Sequence, residues 1–380
     1  MPQEQKHIFF EGVNGLRFFA ALAVVITHIE LMKGFFGIEN NWQSTIIFNL
    51  GGLGVYFFFV LSGFLITYLL LVEKQRTQTI SVKQFYWRRL LRIWPLYYAI
   101  TLIGFFVLPK FQLFNIESLQ HNFELHFNTN LFLYLLILPN VAFSMFSAVP
   151  NIGQTWSIGV EEQFYIAWPW IIKKSNHIFK TLMSIIVGLI LFKILILGLG
   201  YFFKNDYWYS VLKKLVAMSK FECMAIGGIG AHYVFIQHPV LSYLKKSIVS
   251  IMSLVLIILL LFITPPILQD GLHIIIALLF LIILLQVVQS KIGWLNHVIL
   301  DYLGRISYGL YMYHLMLIPF IIFVLTKFIN PSNAFMFNGL LYVITIVSSI
   351  LVASLSYYTF ELKFIKLKEK FAVVKSGAIN

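Results

Sequence analysis

Arg17 and His28 stand eleven residues apart inside a single apolar stretch of the sequence. On a helix this spacing is three turns plus about 20°, so both side chains share one stripe about 16 Å apart along the axis. An ionisable group in hydrocarbon costs at least about 2.5–3.5 kcal/mol, so two on one stripe point to an internal polar cavity. An imidazole there can accept or give a proton, and a guanidinium can hold an anion. The plainer alternative for His28 is a packed histidine bonded to a neighbouring helix.

Three further segments carry chemistry-bearing side chains. In Arg88-Arg89-Leu90-Leu91-Arg92-Ile93-Trp94-Pro95-Leu96-Tyr97 the guanidiniums of Arg89 and Arg92 fall three apart on one helical face. They form either a paired site for a phosphate-bearing ligand or a basic anchor at the membrane surface. Trp156-Ser157-Ile158-Gly159-Val160-Glu161-Glu162 places two adjacent carboxyls about 100° apart, so one can face a cavity while the other meets a partner. Acidic residues at a solvated helix start would read the same way. Tyr308 and His314 lie six residues apart, about 120° in angle, and need not share a face. No metal-ligand spacing emerges among the ten histidines and the single cysteine, Cys223.

The elements that position these residues follow from composition. With 59% hydrophobic and 11% charged residues, a soluble globule of 380 residues is excluded and lipid must be the solvent. An all-α integral membrane protein is expected, in which each bilayer crossing takes roughly 20 apolar residues. The net charge of +13 reads as the basic excess of cytoplasmic loops, and no nucleic-acid partner is expected. Apolar runs lie at about 13–32, 51–72, 93–109, 130–148, 156–172, 181–203, 221–236, 247–264, 271–289, 306–328 and 337–360. The stretch from Ser81 to Arg92, which mixes aromatic and basic residues, reads as an interfacial helix.

Two basic segments test that count. The first holds Lys74, Arg76, Lys83, Arg88, Arg89 and Arg92, and the second Lys363, Lys366, Lys368, Lys370 and Lys375. Both belong on the cytoplasmic side, so an odd number of crossings does not fit. About ten transmembrane helices with one re-entrant or partial segment and both termini cytoplasmic is the expectation. The partial segment is either 156–172 or 221–236. Charges in the flanking loops, Lys173, Lys174 and Lys180 against Lys204, Lys213, Lys214 and Lys220, do not decide between them. No internal repeat or linker breaks the chain, so residues 1–380 are expected to form a single transmembrane domain.

Taken in order, these elements resemble the acyltransferase 3 family of multi-spanning membrane acyltransferases. The resemblance rests on Arg17 with His28, the run from Gly54 through Ser62-Gly63-Phe64, the Arg88 to Tyr97 stretch, the Trp156-Ser157 motif with Glu161, and Ser307-Tyr308 with His314. It implies O-acyltransferase activity, usually with acetyl-CoA as a donor substrate rather than a permanently bound cofactor. The implied acceptor is an envelope glycan or a lipid-linked saccharide, in a bacterial inner membrane.

It also implies that His28 and Glu161 are catalytic, that Arg17, Arg88, Arg89 and Arg92 bind the donor, and that Trp156, Ser157, Tyr308 and His314 support them. Whether His28 is a base or an acyl carrier stays open, with the base favoured for a neutral imidazole in a low-dielectric span. Glu361 is followed by Leu362-Lys363 where the family often places proline. No appended soluble domain is expected, so the protein either finishes the transfer itself or passes the acyl group to a separate extracytoplasmic transferase. A transporter or flippase of an envelope precursor is the alternative that buried charges also allow.

Overall fold

Backbone groups in lipid must be satisfied within the segment, so long apolar runs are forced into helices. The computed structural model describes residues 8–203, 205–244, 246–263, 271–290 and 292–374, and Lys204, Lys375 and both terminal residues lie outside that set. Among the described residues the chain is helical and holds no β-strand.

The helices are α1 (Val13–Phe35), α2 (Thr45–Thr77), α3 (Val82–Leu102), α4 (Glu117–Leu125), α5 (Phe127–Leu135), α6 (Pro139–Met145), α7 (Trp156–Lys174), α8 (Ile178–Phe203) and α9 (Tyr207–Met218). They continue with α10 (Phe221–Phe235), α11 (Leu241–Leu244), α12 (Ser247–Leu260), α13 (His273–Gln289), α14 (Val298–Arg305), α15 (Ser307–Phe328), α16 (Ala334–Ser356) and α17 (Leu362–Glu369). Six of the described helical stretches, based on α1, α2, α3, α8, α15 and α16, are long and apolar enough to cross a membrane.

Helix α2 is the most buried of these six, and small residues let it approach its neighbours closely. A Cβ on Gly63 would overlap the Met224 carbonyl of α10, and one on Gly227 of α10 would overlap the Val60 carbonyl of α2. Against α1, a Cβ on Gly54 would press on the Ala20 carbonyl. Gly54, Gly63 and Gly227 are thus the points where the backbones of α1, α2 and α10 meet. By contrast Leu191 and Leu195 of α8, Leu254 of α12 and Leu351 of α16 face outward, as lipid-facing side chains do.

Two sequence expectations change. The run at 130–148 forms no single helix: it is divided between α5 and α6 at Leu136 to Leu138, where Ile137 takes a left-handed φ of 57° and Pro139 opens the next helix. Runs 156–172 and 221–236, the two candidates for a partial segment, fold as α7 and α10, and neither is among the six described stretches long and apolar enough to cross a membrane. The Ser81 to Arg92 stretch is not a separate interfacial helix. It is the first half of α3, which continues through a π-helical turn at Ile103–Val107.

Candidate active site

Helix α1 is continuous from Val13 to Phe35, so Arg17 and His28 keep the separation that helical rise gives them. Both are half-buried, although Phe18, Thr27 and Ile29 beside them are buried. Their surroundings differ. Arg17 Nη1 reaches Asn14 Oδ1 at 3.4 Å, and its charge is felt by Arg92, Glu161 and Tyr165. His28 instead meets α15, where its Nδ1 lies 2.7 Å from His314 Nε2.

Helix α15 reaches three site helices from successive turns. The Tyr308 hydroxyl donates to the Ile93 carbonyl of α3 at 2.9 Å. One turn on, the Tyr311 hydroxyl lies 2.8 Å from Ser157 Oγ and donates to the Gln154 carbonyl at 3.0 Å, at the start of α7. Next comes His314 against α1. Tyr308 and His314 therefore point to different neighbours, as their angular spacing implies. Tyr311 had no separate place in the sequence reading, although its position three residues after Tyr308 and three before His314 is the signal that could have found it.

The carboxyls of α7 divide as their spacing requires. Glu161 accepts from Ser62 Oγ of α2 at 2.8 Å and from the Tyr165 hydroxyl at 3.0 Å, while Glu162 accepts from Trp94 Nε1 of α3 at 2.9 Å. The second Glu162 oxygen, Oε1, is buried without a partner among the described residues. Ser157, four residues before Glu161, bonds to α15 rather than to that carboxyl, and the half-buried Trp156 packs edge-on against Phe59 of α2. In the sequence Ser62 stands out only as a member of the Gly54 to Phe64 run. Tyr165, at i+4 from Glu161, was legible in the spacing.

The arginines fall into two groups. Arg88 is engaged: its Nη2 pairs with Glu73 at 2.9 Å and its Nη1 donates to the Phe371 carbonyl at 2.9 Å. Arg17, Arg89 and Arg92 have no carboxylate at ion-pair distance among the described residues. Arg89 lies 5.7 Å from the Phe85 and Tyr165 ring centroids, and its buried Nε has no acceptor there. A buried donor left over on Arg89, with Arg17 and Arg92 near it, is a place where an anionic ligand would satisfy the site. Glu361 closes this end. It sits on a π-helical turn, Tyr357–Glu361, accepts from Ser356 Oγ at 2.8 Å and lies within the field of Arg92.

The assembled geometry is an imidazole pair between α1 and α15 and, three turns back along α1, uncompensated arginines with the carboxyls of Glu161, Glu162 and Glu361. The model of an acyltransferase domain, of the acyltransferase 3 type, matches residues 10–358. The chain belongs to this acyltransferase family. It is 29% identical over 370 residues to the O-acetyltransferase OatA of Staphylococcus aureus (strain NCTC 8325 / PS 47), which covers 92% of this chain and 56% of that protein. A second Staphylococcus aureus protein (strain COL), whose O-acetyltransferase name is itself provisional, is 28% identical over 394 residues, 95% of this chain and 58% of its own length. The chain thus spans little more than half the length of these curated relatives. No solved structure matches it. Membership in an acyltransferase family lends nothing to the transporter alternative.

Proposed function

We propose that this protein transfers an acyl group, acetyl in the simplest case, from an acyl-CoA to a hydroxyl of an envelope glycan or lipid-linked saccharide. The observation that carries the reading is the half-buried His28, paired with His314, three helical turns along α1 from Arg17, which lies within the field of Arg92 and Glu161. Arg17 and the Arg89 and Arg92 pair would hold the donor phosphates, and Arg88 would brace their helix through Glu73. The pantetheine arm would span the rise of about 16 Å between Arg17 and His28.

In the proposed reaction the acceptor hydroxyl gives its proton to His28 as its oxygen bonds to the thioester carbonyl carbon. The tetrahedral adduct then breaks its carbon–sulfur bond, and the departing thiolate takes the proton from His28 to leave as CoA thiol. Glu161, held by Ser62 and Tyr165, would order the polar groups between the arginines and His28.

Ten bilayer crossings accompany this reading: α1, α2, α3, α7, α8, α10, α12, α13, α15 and α16. Contacts between ends support the alternation. Lys74 near the end of α2 donates to carbonyls of Ile172, Lys173 and Ser175 at the end of α7, and Asn49 near the start of α2 donates to those of Leu261 and Ile263 beyond α12. With the basic end cytoplasmic, the termini would be inside the cell and the donor would enter from there.

Mass spectrometry of envelope glycans tests the function, with the wild-type protein compared with a His28→Ala variant that inserts normally. The expected result is one acetyl mass difference that disappears in the variant, together with CoA release by purified wild-type protein. Undiminished acetylation by His28→Ala would sink the assignment of His28.

A further inference from the structure

His314 is fully buried on α15 and uses both ring nitrogens. Its Nδ1 lies 3.3 Å from the Leu310 carbonyl oxygen one turn earlier, and its Nε2 lies 2.7 Å from His28 Nδ1. The two rings are inclined by only 15° with centroids 5.0 Å apart. That centroid separation equals the nitrogen-to-nitrogen distance plus one ring radius at each end. The rings therefore lie edge to edge in nearly one plane, as a straight N–H···N bond requires, and not face to face.

The hydrogens follow from what each atom can do. A carbonyl oxygen only accepts, so His314 Nδ1 carries its hydrogen. No carboxylate acts on His314 among the described residues, and an uncompensated imidazolium in a dry site is costly. A neutral His314 with hydrogen on Nδ1 has a bare Nε2, which can only accept. His28 Nδ1 must then be the donor. The other nitrogen of His28, Nε2, is left with its lone pair and has no hydrogen-bond partner among the described residues.

We infer that His314 is a positioning residue: anchored by the Leu310 carbonyl, it holds His28 in the Nδ1–H tautomer and so presents Nε2 as the proton acceptor. The inference rests on the acyl-transfer reading for its purpose but not for its geometry. When His28 takes a proton, its Nδ1–H bond to His314 strengthens and helps hold the new charge, a task a carboxylate often performs for a catalytic histidine. Here a neutral ring does so without placing a permanent charge between α1 and α15. It also favours the base over the acyl carrier only in this sense: the nitrogen left open is one whose proton inventory is fixed by the chain itself.

The test is nitrogen NMR of the full-length protein in detergent, labelled with ¹⁵N at histidine, with the His28 signals identified by their loss in His28→Gln. Wild-type protein is expected to show a hydrogen-free Nε2 at His28. His314→Leu, which removes the acceptor, should shift His28 toward the Nε2–H form and lower kcat by roughly 10²–10⁴-fold with donor KM within twofold. His314→Gln, whose side-chain oxygen can accept from His28, should recover most of both. A wild-type His28 with hydrogen on Nε2, or a Leu variant with unchanged tautomer and turnover, overturns the inference. A bare Nε2 in a protein that transfers no acyl group upholds the pairing and overturns the proposed function instead.

Discussion

Ser62 Oγ donates to Glu161 Oε1 at 2.8 Å, joining α2 to α7 at a point 99 residues apart in sequence. This bond and the one from Tyr165 fix the Glu161 carboxyl from two sides. Loss of one such bond costs about 1 kcal/mol, so Ser62→Ala should lower turnover about fivefold. Glu161→Gln should cost more, at least tenfold, because it removes the charge as well as an acceptor. A double-mutant cycle on acetyl transfer checks the link: the Ser62→Ala effect should shrink in the Glu161→Gln background.

The arginines should separate by role. Arg88→Ala leaves Glu73, 1% exposed, without its guanidinium and should lower thermal stability while donor KM stays within twofold. Arg89→Ala and Arg92→Ala should each raise donor KM by roughly 10-fold or more, since a hydrogen bond to a charged group is worth about 1.5–3 kcal/mol. Steady-state kinetics and thermal unfolding on the same preparations read both outcomes.

A third prediction concerns Lys33 and Glu30, a buried pair two residues beyond His28. Glu30 accepts from Lys33 at 2.9 and 3.1 Å, from the Tyr342 hydroxyl at 2.7 Å and from the Asn41 backbone at 2.5 Å, so one carboxyl binds α1, α16 and the link from α1 to α2. Removing one partner of a buried pair costs about 3–5 kcal/mol. Lys33→Met should therefore lower the unfolding temperature sharply, and Glu30→Gln added to it should restore part of the loss.

The glycine contacts give a fourth. Gly63→Val would drive a branched side chain into the Met224 carbonyl and should prevent accumulation of folded protein, whereas Gly52→Ala, which meets open space, should be neutral. Detergent-extracted yield and unfolding temperature distinguish them.

What the sequence revealed and what it hid divide along a physical line. Arg17 with His28, Arg89 with Arg92, and the divergence of Glu161 from Glu162 are local spacings, and helical geometry alone relates them. The meeting of His28 with His314 spans 286 residues and depends on how α1 and α15 cross, which no local periodicity encodes. The broken run at 130–148 was hidden by its apolar composition, although Pro139 within it carried the signal: a proline without an N–H is at home at a helix start. Conversely, the family resemblance groups Arg88 with Arg89 and Arg92 as donor-binding residues, and its pairing with Glu73, fifteen residues earlier, is a contact that the sequence does not display.

The backbone contact at Gly63 and Gly227 has an evolutionary reading. Where two helices touch through side chains, a change on one can be absorbed by a new rotamer on the other. Where they touch through bare backbone, no compensating substitution exists, and Ser62 beside Gly63 inherits that fixity. The lipid-facing surfaces of α8, α12 and α16 carry no such constraint. Drift there can match the chain to membranes of different thickness while the seat of Glu161 stays where the glycines put it.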